Sequence, residues 1–457
     1  MDIVKINESD NVGVVLSTGH KTALCNIRKG EEIIKYGYPI GIASCDIAEG
    51  EHVHTHNMKT GLADVLEYSY EPDFVFPENI EPFEINAYIR ENGEIGIRND
   101  IWILPTVGCV NGIAKRIAEK TGAIAFSHPY GCSQLGGDME TTQLILRGLI
   151  KHPNAGGVLV LGLGCENNNI DSMKKVLGAY NEKRIVFLTV QECTDEITEG
   201  ISLVEQLKAI ATTDKRKPVP ASKLRVGLKC GGSDGYSGIT ANSVVGLVTD
   251  RLCAMGGSAI LTEVPEMFGA EKVLFKRCVN QTVFEKSVRL INNFKTYFLR
   301  HGEPISENPS PGNKEGGITT LEDKSLGCVQ KGGKAPITDV LHYGDVVCKP
   351  GLSLLNSPGN DIVSITNLSA VGCHLILFTT GRGTPLGAAV PTVKIASNEK
   401  IATNKPHWID YCAWGDDKEK TATGLLELIR QVADGKLTAN EKNDMREIAI
   451  FKDGVTL

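Results

Sequence analysis

Over the first 70 or so residues, short apolar runs (NVGVVLS, EEIIKY, PIGIAS) alternate with glycine-bearing turns. A period of two marks half-buried strands, and no helical period competes with it, so a small all-β module is predicted over residues 1–72. The segment EPDFVFPENIEPFEI is rich in Pro and Glu and aperiodic, which is how a surface linker is composed; it is assigned to 73–92. From Gly96 the pattern changes. Strand candidates IWILPTV, AIAF, GVLVLGLG and RIVFLTV alternate with the helix-like NGIAKRIAEKTG and METTQLILRGLIKHP. That alternation predicts βαβ units in a Rossmann-like domain over 93–220, its parallel sheet covered on both faces.

The charged stretch TTDKRKPVPASK interrupts near residues 212–223, and a second series follows with RVGLKCGG, SAILTEV, CHLILFTTG and TVKIAS. It predicts a second α/β domain, the catalytic one, over 221–457, with a helical excursion around 270–301. Between Pro304 and Pro350 the chain is rich in Gly, Pro, Lys and Asn, the composition of an active-site lid or a long solvated loop.

Composition narrows the function classes. At 457 residues the chain exceeds what a single core serves, and 41% hydrophobic with 23% charged residues is ordinary for a globular protein. A net charge of -7 argues against a general nucleic-acid binder, so an anionic substrate must be drawn in by a local group of cations. No apolar run approaches the roughly 18–20 residues that span a bilayer, and MDIVKINESD has neither the basic nor the apolar region of a signal peptide. No membrane partner and a cytoplasmic location are therefore expected. The 13 cysteines include no CxxC pair, so most should be reduced thiols.

The sharpest local signal is His52-Val53-His54-Thr55-His56-Asn57, three of only ten histidines at a period of two. In an extended segment the three imidazoles share one face and can hold one cation. Gly-Cys or Cys-Gly pairs recur near the ends of apolar runs, at Cys109, Cys132, Cys165, Cys230 and Cys373. Ligands of parallel sheets bind outside the carboxyl ends of the strands, so these cysteines are either small fillers beside turn glycines or thiolate ligands. Lys229-Cys230-Gly231-Gly232-Ser233-Asp234-Gly235 follows a strand candidate and precedes a helix-like segment, the design of an anion-binding loop. Thr379-Thr380-Gly381-Arg382-Gly383-Thr384-Pro385 repeats it, with Arg382 able to grip a carboxylate. No Walker phosphate loop is present, and LGLGCE lacks the third glycine of a dinucleotide fingerprint. Arg98, His128 and Glu166 are further polar residues at loop positions.

Taken in order, HVHTHN, GIRND, GVLVLGLGCENN, LKCGGSDGYSGITANSVVG and GNDIVSITNLSAVGCHLILFTTGRGTP resemble the altronate and galactarate dehydratase family, nearly to residue 415. The resemblance implies an N-terminal SAF-type β-clip domain, α/β catalytic domains and Fe(II) or a related divalent metal, Mn or Zn included, used to dehydrate sugar acids. It marks His54, His56, Asn57, Cys165, Glu166, Lys229, Ser233, Asp234, Arg382 and Thr384. The stretch Ser127–Gln134, SHPYGCSQ, departs from the family pattern. A related branch divides the β module and the catalytic part between two subunits and releases sulfite from 3-sulfolactate; that lyase and a non-catalytic sugar-acid-binding protein are the alternatives.

Chemistry assigns provisional roles. A 2,3-dihydroxy acid loses water only if charge at the carboxylate is stabilised when the C2 proton leaves. His54 and His56 with His52 are the expected metal ligands. Arg382, Gly381, Thr384, Ser233, Asn57 and Arg98 are expected to bind substrate. Lys229, Asp234, Glu166 and His128 supply the catalytic groups. An iron–sulfur version would use Cys132, Cys165 and Cys373. The expected partner is a small anionic hydroxy acid, in a homo-oligomer.

Overall fold

The structure, a computed structural model, describes residues 2–62 and 65–457. The leading module is built from the alternating runs. Strands Ile3–Val4, Val12–Val15, Lys21–Ala23 and His52–Val53 form one antiparallel sheet, and Glu32–Lys35, Tyr38–Ala43 and Met58–Lys59 form another. Val12, Val14, Ile33, Ile40, Val53 and Met58 are buried between them. Lys35 and Tyr38 are joined by Tyr36 and Gly37, both at positive φ (61° and 78°), the two-residue turn whose twist matches that of the strands.

Four parallel strands make the sheet of the middle domain, in the order Ile124–Ala125, Asp100–Pro105, Ala155–Gly162, Ile185–Thr189. Helices Asn111–Thr121, Gly137–Ile150, Ile170–Leu177 and Glu196–Ala211 accompany them. The last part of the chain carries a seven-stranded, wholly parallel sheet. Its order is Ile337–Leu341, Gly351–Leu355, Ser258–Leu261, Arg225–Cys230, Leu375–Thr380, Thr392–Ala396, Tyr411–Cys412. From Arg225–Cys230 the chain goes first to one side, to Ser258–Leu261, and only later to the other, at Leu375–Thr380, so a crevice opens at the carboxyl ends of Arg225–Cys230 and Leu375–Thr380.

Two expectations are corrected. The aperiodic linker and the charged stretch each contain a strand: Glu84–Ile89 pairs antiparallel with Arg216–Pro220, whose prolines suit its place at the edge of a small three-stranded sheet. That pairing spans more than a hundred residues and leaves no local trace. The stretch 304–350 is not one long loop, for it holds helices Pro311–Glu315 and Leu321–Cys328 and strand Ile337–Leu341. Every residue of Leu321–Cys328 is buried, including Glu322, Asp323 and Lys324, so the helix has no apolar stripe to betray it. No described helix is long and apolar enough to cross a membrane.

The middle domain docks on the large sheet through buried polar groups. His152 Nε2 donates to Cys373 O (3.1 Å), and Asn154 Nδ2 donates to His374 O (2.8 Å). Burial, aided by Arg225, lowers His152 to about 3, so it is neutral when folded. The unfolded chain binds a proton here below about pH 6.5 and the folded chain does not until about 3. Stability should therefore fall as pH drops through that window, by up to about 1.4 kcal/mol per pH unit for this group. Urea unfolding across the window, with His152→Gln giving a shallower slope, checks it; an unchanged slope would refute the assignment.

Candidate active site

The two anion-type loops are built as one unit at the crevice. Gly381 N and Arg382 N both donate to Gly232 O (3.1 and 2.9 Å). A Cβ on Gly381 would lie 2.3 Å from Asp234 Cγ, so that glycine is dictated by close packing. Asp234 Oδ1 accepts from Ser237 N (2.9 Å), Ser237 Oγ (2.8 Å) and Ser397 Oγ (2.9 Å), and Oδ2 accepts from Asn398 Nδ2 (2.8 Å). Burial pushes this carboxyl up although the hydrogen bonds oppose it. With both oxygens engaged, Asp234 fastens loops together. Ser233 O accepts from Asn313 Nδ2 (2.8 Å), and Thr384 Oγ1 accepts from Leu386 N (3.3 Å). Arg382 is exposed; Nη1 donates to Gly312 O (3.2 Å) and Nη2 pairs with Glu315 (3.0 Å).

The histidines of the β module face this same segment. His54 Nε2 lies 2.9 Å from Lys314 O, two residues from the carbonyl that Arg382 holds. A carbonyl only accepts, so Nε2 carries the proton. The rings are gathered by a turn and not by an extended strand, which ends at Val53. Asn57, wholly buried, makes the turn: Oδ1 accepts from His54 N (2.9 Å) and Nδ2 donates to His52 O (2.9 Å). It is thereby unavailable to a substrate. A fourth imidazole joins from the neighbouring strand, His20, whose Nδ1 is 3.1 Å from His52 Nε2. Ring centroids are 5.1 Å apart for His20–His52, 5.5 Å for His52–His54 and 5.6 Å for His52–His56.

One pair of these nitrogens is spaced for a divalent cation: two nitrogens each about 2.0–2.1 Å from one ion lie roughly 3 Å apart, as His20 Nδ1 and His52 Nε2 do. His54 donates from Nε2 to a carbonyl, as an anchored ligand does, while its Nδ1 lies 3.1 Å from Thr55 Oγ1, a hydroxyl that must turn away before that nitrogen can ligate. Burial, with neighbouring imidazoles adding to it, lowers His52, and burial lowers His54, favouring the neutral form that ligates.

Beneath the loops lies a buried charged network that includes Lys229. Its Nζ donates to Cys230 O (2.5 Å) and Asp361 Oδ1 (2.7 Å) and pairs with Glu263. With no exposed side-chain surface, Lys229 cannot touch substrate and instead orients Asp361, whose side chain is 37% exposed. Glu266 binds Lys324 (2.8 Å), and Lys331 Nζ lies 2.8 Å from Cys230 Sγ. Among the described residues, Cys230, Glu266 and Cys328 form a group whose donor atoms all lie within 4.8 Å of one another.

Other expected site residues are held elsewhere. Arg98 uses its donors on Glu441, Ile97 O, Val432 O and Lys436 O, which corrects its assignment to substrate. His128 has both nitrogens on backbone, Nε2 to Pro105 O (2.7 Å) and Nδ1 from Tyr130 N (3.2 Å), and burial keeps it neutral. Glu166 accepts from Thr106 Oγ1 (2.6 Å), Leu163 N (2.9 Å) and Gly164 N (2.6 Å); burial opposes ionisation, yet these bonds hold the carboxyl below its usual range. An ionised, saturated Glu166 shapes its own loop. The iron–sulfur trio does not converge. Cys373 adjoins His152 before strand Ala155–Gly162, while Cys165 follows that strand, so its length of about 26 Å separates them.

His20, Glu263, Glu266, Lys324, Cys328, Lys331 and Asp361 were not anticipated. Lys324, Cys328 and Lys331 had a usable signal, a spacing of four and then three residues, and Glu263 with Glu266 follows the strand SAIL as strand-end ligands do.

Family models match three consecutive parts of the chain: the altronate/galactarate dehydratase SAF domain at residues 16–61, the D-galactarate dehydratase/altronate hydrolase second domain at 87–212, and the D-galactarate/altronate dehydratase C-terminal domain at 221–456. The last alone covers more than half of the chain. The chain belongs to the altronate/galactarate dehydratase family. This dehydratase is 53% identical over 459 residues to the altronate dehydratase of Bacillus subtilis (strain 168), covering 97% of this chain and 92% of the relative. It is 50% identical over 495 residues to that of Escherichia coli (strain K12), covering 100% of both. A (2R)-sulfolactate sulfo-lyase subunit beta from Chromohalobacter salexigens is 31% identical over 382 residues, 80% of this chain and 96% of the relative. The dehydratase is thus a hydro-lyase, and the non-catalytic alternative falls away.

Proposed function

We propose that this hydro-lyase removes water from altronate to give a 2-keto-3-deoxy acid. The observation that carries the reading is its identity of half or more with two altronate dehydratases, over 92% of the length of one and 100% of the other. Loss of sulfite from sulfolactate rests on a more distant relative.

In this reading Arg382 binds the substrate carboxylate, exposed beside the Gly231–Gly232 turn at the sheet's carboxyl edge. His20, His52, His54 and His56 hold a divalent cation, Fe(II) as the proposed metal. When bound, it supplies Lewis-acid stabilisation of charge on the carboxylate and a hydroxyl. Asp361, half-exposed and oriented by Lys229, accepts the C2 proton. The C2–C3 double bond forms as the C3–O bond breaks, the hydroxyl leaves as water by taking up one proton in place of the one lost from C2, and the enol tautomerises to the keto acid. The small polar cradle of Gly381 and Asp234 keeps Arg382 in register.

Anaerobic incubation with Fe(II) and, separately, altronate, galactarate or sulfolactate tests the proposal. A 2-keto product from altronate at the highest kcat/KM is expected. Sulfite as the main product, or a preference for galactarate, would overturn it.

A further inference from the structure

We infer that Cys230, Cys328 and Glu266 form a second divalent-metal site, closed and thiolate-rich, inside the C-terminal domain and separate from the histidines of the β module. Three chain segments bring the donors together: Cys230 ends strand Arg225–Cys230, Glu266 lies in the turn after Ser258–Leu261, and Cys328 ends helix Leu321–Cys328. Sγ of Cys230 is 3.3 Å from Sγ of Cys328 and 3.3 Å from Glu266 Oε2, which is 3.0 Å from Cys328 Sγ. A cation about 2.3 Å from each sulfur and about 2.1 Å from the oxygen needs donors some 3.5–3.8 Å apart, so they open by only about half an ångström to admit it.

Glu263 borders the three donors: its Oε2 lies 3.6 Å from Cys230 Sγ while accepting from Cys230 N (3.1 Å), and its residue holds a left-handed backbone (φ 70°) that a side chain seldom adopts. The charge count agrees. Five acidic groups (Cys230, Cys328, Glu263, Glu266, Asp361) face three ammonium groups (Lys229, Lys324, Lys331), so full ionisation leaves two negative charges for one divalent ion to neutralise. Lys394, over the Phe378 ring at 3.4 Å, feels Asp361 and Lys229 of the same network, but burial lowers its amine to about 7, and in its neutral form it leaves the count at two. Lys331, 2.8 Å from Cys230 Sγ, remains as an outer-shell donor to the thiolate. Two thiolates with carboxylate favour zinc-class cations over magnesium or calcium. All donors are buried, so the ion would pin the strand ends and helix and carry no substrate.

Cobalt(II) chloride added to the metal-stripped full chain under anaerobic conditions is the test. About one equivalent should bind with the near-ultraviolet sulfur-to-cobalt charge-transfer absorption of thiolate ligation. The band should survive His52→Ala and vanish in Cys328→Ser. Glu266→Gln, which keeps both thiols and the shape of the site, should retain the band but bind cobalt at least ~10-fold more weakly. Absence of the band in the wild-type chain overturns the inference, as does its persistence in Cys328→Ser or recovery of the two cysteines as a disulfide from anaerobically purified protein.

Discussion

Asp323→Asn should destabilise the protein by about 3–5 kcal/mol and loosen the β module from the catalytic body. Lys21 Nζ donates to Asp323 Oδ2, Gly317 O and Thr319 Oγ1, each at 2.7 Å, and Lys35 Nζ lies 3.0 Å from Oδ1. All three side chains are at most 4% exposed. Burial alone would raise Asp323, but the two lysines outweigh it and hold the carboxyl well below its usual range. An acid depressed in this way contributes stability that is present above its unfolded value, about 3.9, and is lost only as pH falls through the lower folded value. The loss in Asp323→Asn should therefore be seen in full at neutral pH, where two ammonium groups are left buried with no counter-charge. Denaturant unfolding at pH 7 checks it, with Lys208→Ala, which removes a half-exposed surface pair, expected to stay within about 0.5 kcal/mol. An Asn variant within 1 kcal/mol of wild type would mean that this triad does not hold the module.

The second large effect concerns the histidines. His52→Ala and His54→Ala should each lower kcat/KM by on the order of 10²-fold or more, since loss even of an outer-shell partner of a metal typically costs 10–100-fold. Bound divalent metal should fall with it. Burial and the adjacent imidazoles depress His52, and burial depresses His54. Both then remain neutral to below about pH 6.5, so the acid limb of the kcat/KM profile should lie under the ordinary histidine value. Unchanged turnover and metal content in both variants would reduce the module to a structural cap.

The Asp323 experiment and the buried thiol site turn on one helix. Leu321–Cys328 sends Asp323 to the β module, Lys324 to Glu266 and Cys328 to the buried thiol pair, while Glu322 accepts from Thr60 Oγ1 (2.9 Å) and Gly61 N (2.7 Å). Disturbing the module should thus be felt in the network behind the crevice. Little beyond the four-residue spacing of Lys324 and Cys328 announces the helix. Its charged residues face inward, and a stretch of Gly, Lys and Asn before it reads as solvated loop.

Elsewhere the sequence was more readable. The run EEIIKY became a strand with one face buried, which its alternation records directly, PIGIAS follows that pattern less strictly, and Val12–Val15 of NVGVVLS is buried on both faces. GVLVLGLG and CHLILFTTG became central parallel strands because continuous apolar runs have no other stable home. The loops after Cys230 and Thr380 announced themselves by glycine. Strand Ile337–Leu341 was lost inside a polar-looking stretch, Gly351–Leu355 directly after it, and Arg216–Pro220 inside a charged one.

What the sequence determined by itself was local: which segments alternate, where glycine lets the backbone turn, and that three histidines stand close along the chain. Which polar residues meet was decided only in three dimensions. His20 joins His52 across a strand pair, Glu266 reaches Cys328 and Glu263 reaches Cys230 from another strand end, and Arg98 and His128 are absorbed by neighbouring backbone. The reason is physical. An apolar side chain needs only burial, which its own periodicity reports, whereas a buried charge needs a particular partner, and that partner can come from anywhere in the chain.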